Sequence, residues 1–134
     1  MAAPTRILFV EDERSIVEPF SKALVREGFE PVTASTAAEA LSLAERIEPD
    51  LVLLDLNLPR MDGREVLAAV KEDPSLKHIP VVVLTTSEAE EDVLRSYALH
   101  ANAYVTKPVD FDRFIQVVRE IDDFFVTVVR LPRR

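Results

Sequence analysis

Three runs of four residues, each apolar at every position, constrain the fold of this chain more than anything else in it. They are Ile7-Leu8-Phe9-Val10, Leu51-Val52-Leu53-Leu54 and Val81-Val82-Val83-Leu84. A strand apolar on both faces is buried on both faces, which is the condition at the centre of a parallel sheet. Each run also ends on a chemically active side chain. Glu11 and Asp12 follow the first, Asp55 the second and Thr85 the third. A further segment, Ala103-Tyr104-Val105-Thr106, runs into Lys107. Open parallel sheets keep their ligand crevices at the C-terminal ends of their strands. Three carboxylates, a hydroxyl and an ammonium are therefore expected along one sheet edge.

Helical patterns fill the intervals. Ile16, Phe20, Leu24 and Val25 recur at helical spacing, and Gly28 is placed to stop that helix. Phe29 to Thr33 reads as a short strand. Thr36-Ala37-Ala38-Glu39 has capping-box form and opens a helix carrying Ala40, Leu41, Leu43, Ala44 and Ile47, which Pro49 ends. Pro59, Asp62 and Gly63 mark a turn, and Val66, Leu67 and Val70 a third helix. A fourth is expected over about Ala89 to Leu99, and a last one from near Asp110. This alternation predicts a doubly wound α/β domain of five βα units around a parallel sheet. No repeat or linker divides it, so residues 1–134 read as one domain, with a core over 5–124 and an extension over 125–134.

The chain has 134 residues, 48% of them apolar and 30% charged, with a net charge of −8. That balance is globular and argues against a nucleic-acid surface, which needs a basic stripe. Arg130, Arg133 and Arg134 form the only basic cluster and read as a solvated tail. With no cysteine, disulfides, thiolate metal sites and thiol nucleophiles are excluded. No apolar stretch nears the roughly 20 residues of a membrane span, and the N-terminus has no signal-peptide pattern. A soluble, cytoplasmic protein is expected.

A lone acid after a strand is ordinarily a helix cap or a solvated loop residue. Cap chemistry gives no reason, however, for a lysine beside three acids. Carboxylates at roughly 4 Å repel by about 4 kcal/mol at an effective dielectric near 20, and a hard divalent cation relieves that repulsion. Acids without histidine or thiolate favour Mg²⁺ and phosphoryl chemistry over zinc. Asp55, on the central strand, is the candidate nucleophile. Glu11 and Asp12 would hold the metal, Lys107 would supply fixed positive charge and Thr85 a hydroxyl.

With these motifs in place the chain resembles a receiver domain of two-component response regulators over Arg6 to Phe124. The resemblance rests on Glu11-Asp12, Asp55, Thr85 and Lys107-Pro108, and on the spacing between them. It implies a flavodoxin-like (βα)5 fold with strand order 2-1-3-4-5 and a histidine kinase as phosphodonor. It implies Asp55 as phosphoacceptor, with Mg²⁺ on Asp12, Asp55 and the backbone carbonyl of Asn57, and Glu11 acting largely through water. Tyr104 matches an aromatic that turns inward when Thr85 is drawn to the phosphoryl group, although it also suits a half-buried strand anchor. Asn57 and Ser87 match positions that tune hydrolysis, and the Lys107–Pro108 bond is expected cis.

The two halves resemble different receivers. Ile7 to Val10, Glu11-Asp12-Glu13 and Glu27-Gly28-Phe29 are similar to receivers of winged-helix regulators. Leu84 to Ser87, Ala101 to Tyr104 and Phe124 to Pro132 are similar to stand-alone receivers that partner phytochrome-type kinases. Two origins are open to such a chain: a natural one, and a recombined or engineered one.

Two other functions compete. An Asp-nucleophile Mg²⁺ hydrolase would carry an acid two residues after the nucleophile, where this chain has Asn57, and would carry a cap insertion. A pseudo-receiver scaffold would lack part of the set Glu11, Asp12, Asp55, Thr85 and Lys107. In the last helix, Phe111, Phe114, Val118, Ile121 and Phe125 form a stripe for the sheet. Val117, Phe124 and Val128 form an adjoining stripe that either widens the core contact or pairs two copies. A homodimer through the last helix, its extension to about Leu131 and the fourth helix is the expectation.

Overall fold

A computed structural model of the chain describes residues 4–55, 63–74, 76–85, 103–106 and 111–123. Its strands are β1 (Arg6–Val10), β2 (Glu30–Ala34), β3 (Leu51–Asp55), β4 (Val81–Thr85) and β5 (Ala103–Thr106). Its helices are α1 (Arg14–Arg26), α2 (Ala37–Ile47), α3 (Gly63–Glu72) and a last helix, Phe111–Ile121. All strand pairs are parallel, in the order β2-β1-β3-β4-β5. The helix expected over about Ala89 to Leu99 and the extension beyond Asp123 lie outside the described residues.

The both-faces-apolar runs do what their pattern requires. Leu8, Val10, Val52, Leu54, Val81 and Val83 point to one side, where Ala37, Ala40 and Ala44 of α2 and Val66, Leu67 and Val70 of α3 cover them. Ile7, Phe9, Leu51, Leu53, Val82 and Leu84 point to the other, against Phe20 and Leu24 of α1 and Phe114 and Val118 of the last helix. Phe114 sits at the centre of that second side, 4.6 Å from the Phe20 ring and 6.1 Å from Phe9. Burying each such side chain contributes about 1.5–3 kcal/mol.

The strand starts are tied together. The Arg6 backbone N–H donates to Asp50 Oδ2 at 2.9 Å, and its guanidinium donates to the Ile47 carbonyl at 2.8 Å and pairs with Glu30 at 3.3 Å. β1, β2 and β3 therefore begin at one level. On β2, the Glu30 N–H bonds to the Thr5 carbonyl and the Ala34 carbonyl accepts from Glu11. Alternation then turns the backbone of Pro31 and Thr33 outward, so Pro31 breaks no ladder bond.

Two details depart from the pattern read in the sequence. Val25, grouped there with the core stripe of α1, is 60% exposed, and Ala23 takes its place. At 100° per residue position 25 has rotated past the face that holds 16, 20 and 24. Phe29 belongs to the end of α1 rather than to β2: its N–H bonds to the Leu24 carbonyl at 2.9 Å, while Gly28 N–H bonds to that of Val25 at 3.1 Å. With Gly28 at φ 91°, this is a Schellman ending. Val117, whose stripe was open to either a core contact or a pairing role, is half-buried and packs on the core with Ile115 and Ile121.

α2 starts as its capping residues dictate. Thr36 Oγ1 accepts the Glu39 N–H at 3.2 Å, but Glu39 Oε1 reaches one residue further back than expected, to the Ser35 N–H at 2.8 Å. α2 ends on Glu48 in the left-handed region, φ 50°. α1 runs through Pro19, whose ring occupies the position where an N–H would bond to Ser15.

Two outcomes follow for stability. Pro19→Ala should raise it by about 1–3 kcal/mol, since proline costs roughly 3 kcal/mol inside a helix and returns part of that through the unfolded chain. A urea midpoint that stays put or falls would show that the ring's own packing compensates. Gly28→Ala should lower stability by about 1 kcal/mol from backbone strain alone, because a Cβ there meets nothing within 4 Å. An unchanged midpoint for that variant would contradict the Schellman assignment.

Candidate functional site

β1 and β3 pair with Val10 opposite Leu54, so the residues that follow, Glu11 and Asp55, arrive side by side at the C-terminal edge of the sheet. Asp55 in turn pairs with Leu84, which sets the backbone of Thr85 one residue beyond it. Glu11 and Asp55 are each 1% exposed, the two buried charged residues of the described core, while Asp12 is exposed. One carboxylate oxygen from each of the three lies within 4.8 Å of the others. Among the described residues no other set of three acids or histidines comes together in this way.

The loop after β1 is shaped by its own first residue. The Glu11 backbone N–H donates to the Ala34 carbonyl at 3.0 Å, extending the β1–β2 ladder. Its side chain folds back, and Oε1 accepts from the backbone N–H groups of Asp12 at 3.1 Å and Glu13 at 3.3 Å. Glu13 is the N-cap of α1 and makes no side-chain cap bond of its own. Its carbonyl accepts from Ile16 and Val17, each at 2.9 Å, to start the helix. The acid loop is thus clamped between the end of β2 and the first turn of α1. Sequence reasoning did not find this clamp; its only signal is that Glu11 has the length to reach two N–H groups beyond itself.

Carboxylates so close, two of them out of water, repel unless positive charge joins them. An all-oxygen donor set of this kind suits a hard divalent cation, which takes one or two carboxylates and completes its shell with water or phosphate oxygen. The residues present therefore fit a divalent metal ion, and the described edge presents the nucleophile candidate Asp55 directly beside it.

Of the other residues singled out in the sequence, Thr85 ends β4 and Tyr104 lies on β5 opposite Val83, both at the positions their patterns require of the backbone. Asn57, Ser87, Lys107, Pro108, Phe124 and Val128 lie outside the described residues.

Comparison with known proteins agrees with this edge. The model of the response regulator receiver domain family matches residues 7–119. The response regulator Rcp1 of Synechocystis sp. is 55% identical over 84 residues, covering 63% of this chain; the match spans 57% of the length of that relative. Among solved structures, the phosphorylated cyanobacterial phytochrome response regulator RcpA is 41% identical with a TM-score of 0.78, covering 98% of this chain and 100% of that one. The Mn²⁺-bound form of Rcp1 is 40% identical with a TM-score of 0.76, covering 97% of this chain and 100% of its own. A parallel sheet of this order, its acids converging at the ends of β1 and β3 and a family match across nearly the whole described fold lead to one conclusion: the chain belongs to the response regulator receiver domain family.

Proposed function

We propose that this receiver takes a phosphoryl group onto Asp55 from the phosphohistidine of a histidine kinase and changes the surface it offers to partners when it does so. The observation that carries the reading is the convergence of the Glu11, Asp12 and Asp55 oxygens within 4.8 Å at the end of the central strand. In the transfer an Asp55 oxygen bonds to phosphorus as the phosphorus–nitrogen bond breaks, and the imidazole keeps the electron pair. Asp12, Asp55 and the Asn57 carbonyl would hold Mg²⁺, with Glu11 acting largely through water, and the ion would supply the positive charge that transferring phosphoryl oxygens need. Lys107 holds a further positive charge, and Thr85 donates its hydroxyl to the phosphoryl group. Tyr104 then turns inward to report the change, while Asn57 and Ser87 set the lifetime of the acyl phosphate. The Lys107–Pro108 bond is read as cis by family resemblance.

On this reading the protein is a phosphoacceptor, with weak self-catalysed transfer and loss of the group. The likeness to RcpA, a cyanobacterial phytochrome response regulator, supports a phytochrome-type kinase as donor. A cytoplasmic setting without direct nucleic-acid contact accords with a net charge of −8. Among the described residues no helix is long and apolar enough to cross a membrane. Residues 5–124 act as the receiver core and 125–134 as its extension. The same extension, together with Val117, Phe124 and Val128, is proposed to pair two copies of the chain.

With Mg²⁺ and acetyl phosphate the protein should gain one labile phosphoryl group, seen by mass spectrometry and removed by Asp55→Asn. Labelling that survives this change would overturn Asp55 as acceptor. Asp12→Ala should weaken Mg²⁺ binding by at least the roughly 10–100-fold seen for outer-shell partners and slow labelling in step. Lys107→Ala should disturb the switch more than metal binding. Sedimentation at micromolar concentration should give a dimer that Phe124→Asp dissociates; a monomer unaffected by that change would remove the pairing proposal.

A further inference from the structure

Glu11 is treated above as one acid of three, but its geometry gives it a separate task. Its side chain bonds to the backbone of its own loop. Oε1 accepts from the Asp12 and Glu13 N–H groups, and the main-chain N–H of the same residue is fixed to the Ala34 carbonyl. Two successive N–H groups converging on one anionic oxygen form a small nest. The nest orients the peptide units on either side of Asp12 and delivers Glu13 to the start of α1, where that residue caps the helix without using its side chain. Asp12 is exposed, so its carboxylate has little packing to aim it, and the loop backbone is what is left to do so.

We infer that Glu11 is a positioning residue: its carboxylate oxygen, by accepting from the Asp12 and Glu13 backbone N–H groups, sets the direction in which Asp12 meets a divalent cation. This rests on the metal-site reading above and adds to it a role for Glu11 as an acceptor of hydrogen bonds, separable from its charge. Glutamine keeps an oxygen of the same reach and loses the charge; alanine loses both.

Mn²⁺ affinity, read from the free-ion signal in electron paramagnetic resonance, separates the two roles in the intact chain. Glu11→Gln should lose only the Mn²⁺ affinity that the charge supplies, whereas Glu11→Ala should bind about 10–100-fold more weakly than Glu11→Gln, as loss of a partner that orients a metal ligand does. Without metal, amide hydrogen exchange at Asp12 and Glu13 should speed up in Glu11→Ala and stay near the parent rate in Glu11→Gln. That readout needs no ion and does not move if Glu11 acts by charge. Equal losses of Mn²⁺ affinity in both variants, or slow exchange retained in Glu11→Ala, would overturn the inference and leave the metal site standing. A parent protein that binds no Mn²⁺, or an Asp12→Asn variant that binds as tightly as the parent, would bring down the metal-site reading and this inference together.

Discussion

The in-register pairing of β1 with β3 is the constraint on which the rest of this molecule depends. A slip by one residue would turn every buried side chain of β1 to the opposite face and would carry Glu11 away from Asp55. Two devices hold the register. The Arg6 and Asp50 bonds fix where the strands begin, and the equal length of the two strands then fixes where they end. The chemistry at one edge of the sheet is thus specified by hydrogen bonds at the other. Alternation along the same strands does the remaining work, since it sends successive residues to an alanine-rich layer on one side and an aromatic one on the other.

Much of this was legible in the sequence because the strands were extreme cases. Runs apolar at every position have few places to go, and the acids at their ends inherit the geometry of the sheet. What escaped the reading depended on backbone bonds that have no residue code. Phe29 looked like the first residue of a strand, yet its N–H closes the end of α1 and its ring joins the core from there. Val25 fell at a permitted helical spacing, but a face about 100° wide has edges, and two neighbouring positions cannot both sit at its centre.

The candidate site divides in the same way. Its carboxylates could be named from position alone, since residue type and strand end sufficed. The clamp that shapes the loop could not, because it joins a side chain to the backbone of its neighbours. A pattern of residue types records which groups arrive at an edge and is silent on how they are aimed. That distinction also separates Glu11 from Asp12, two adjacent acids that composition treats alike and the fold treats differently: one buried and turned inward on its loop, the other exposed.

The position of Pro31 carries a consequence for behaviour at high concentration. Its backbone faces out from the free edge of β2, and with no N–H there the edge offers Thr33 as its one outward donor within the strand. Strand-to-strand growth between molecules needs a row of such donors. The missing donor at Pro31 therefore disfavours growth of the sheet edge to edge along β2.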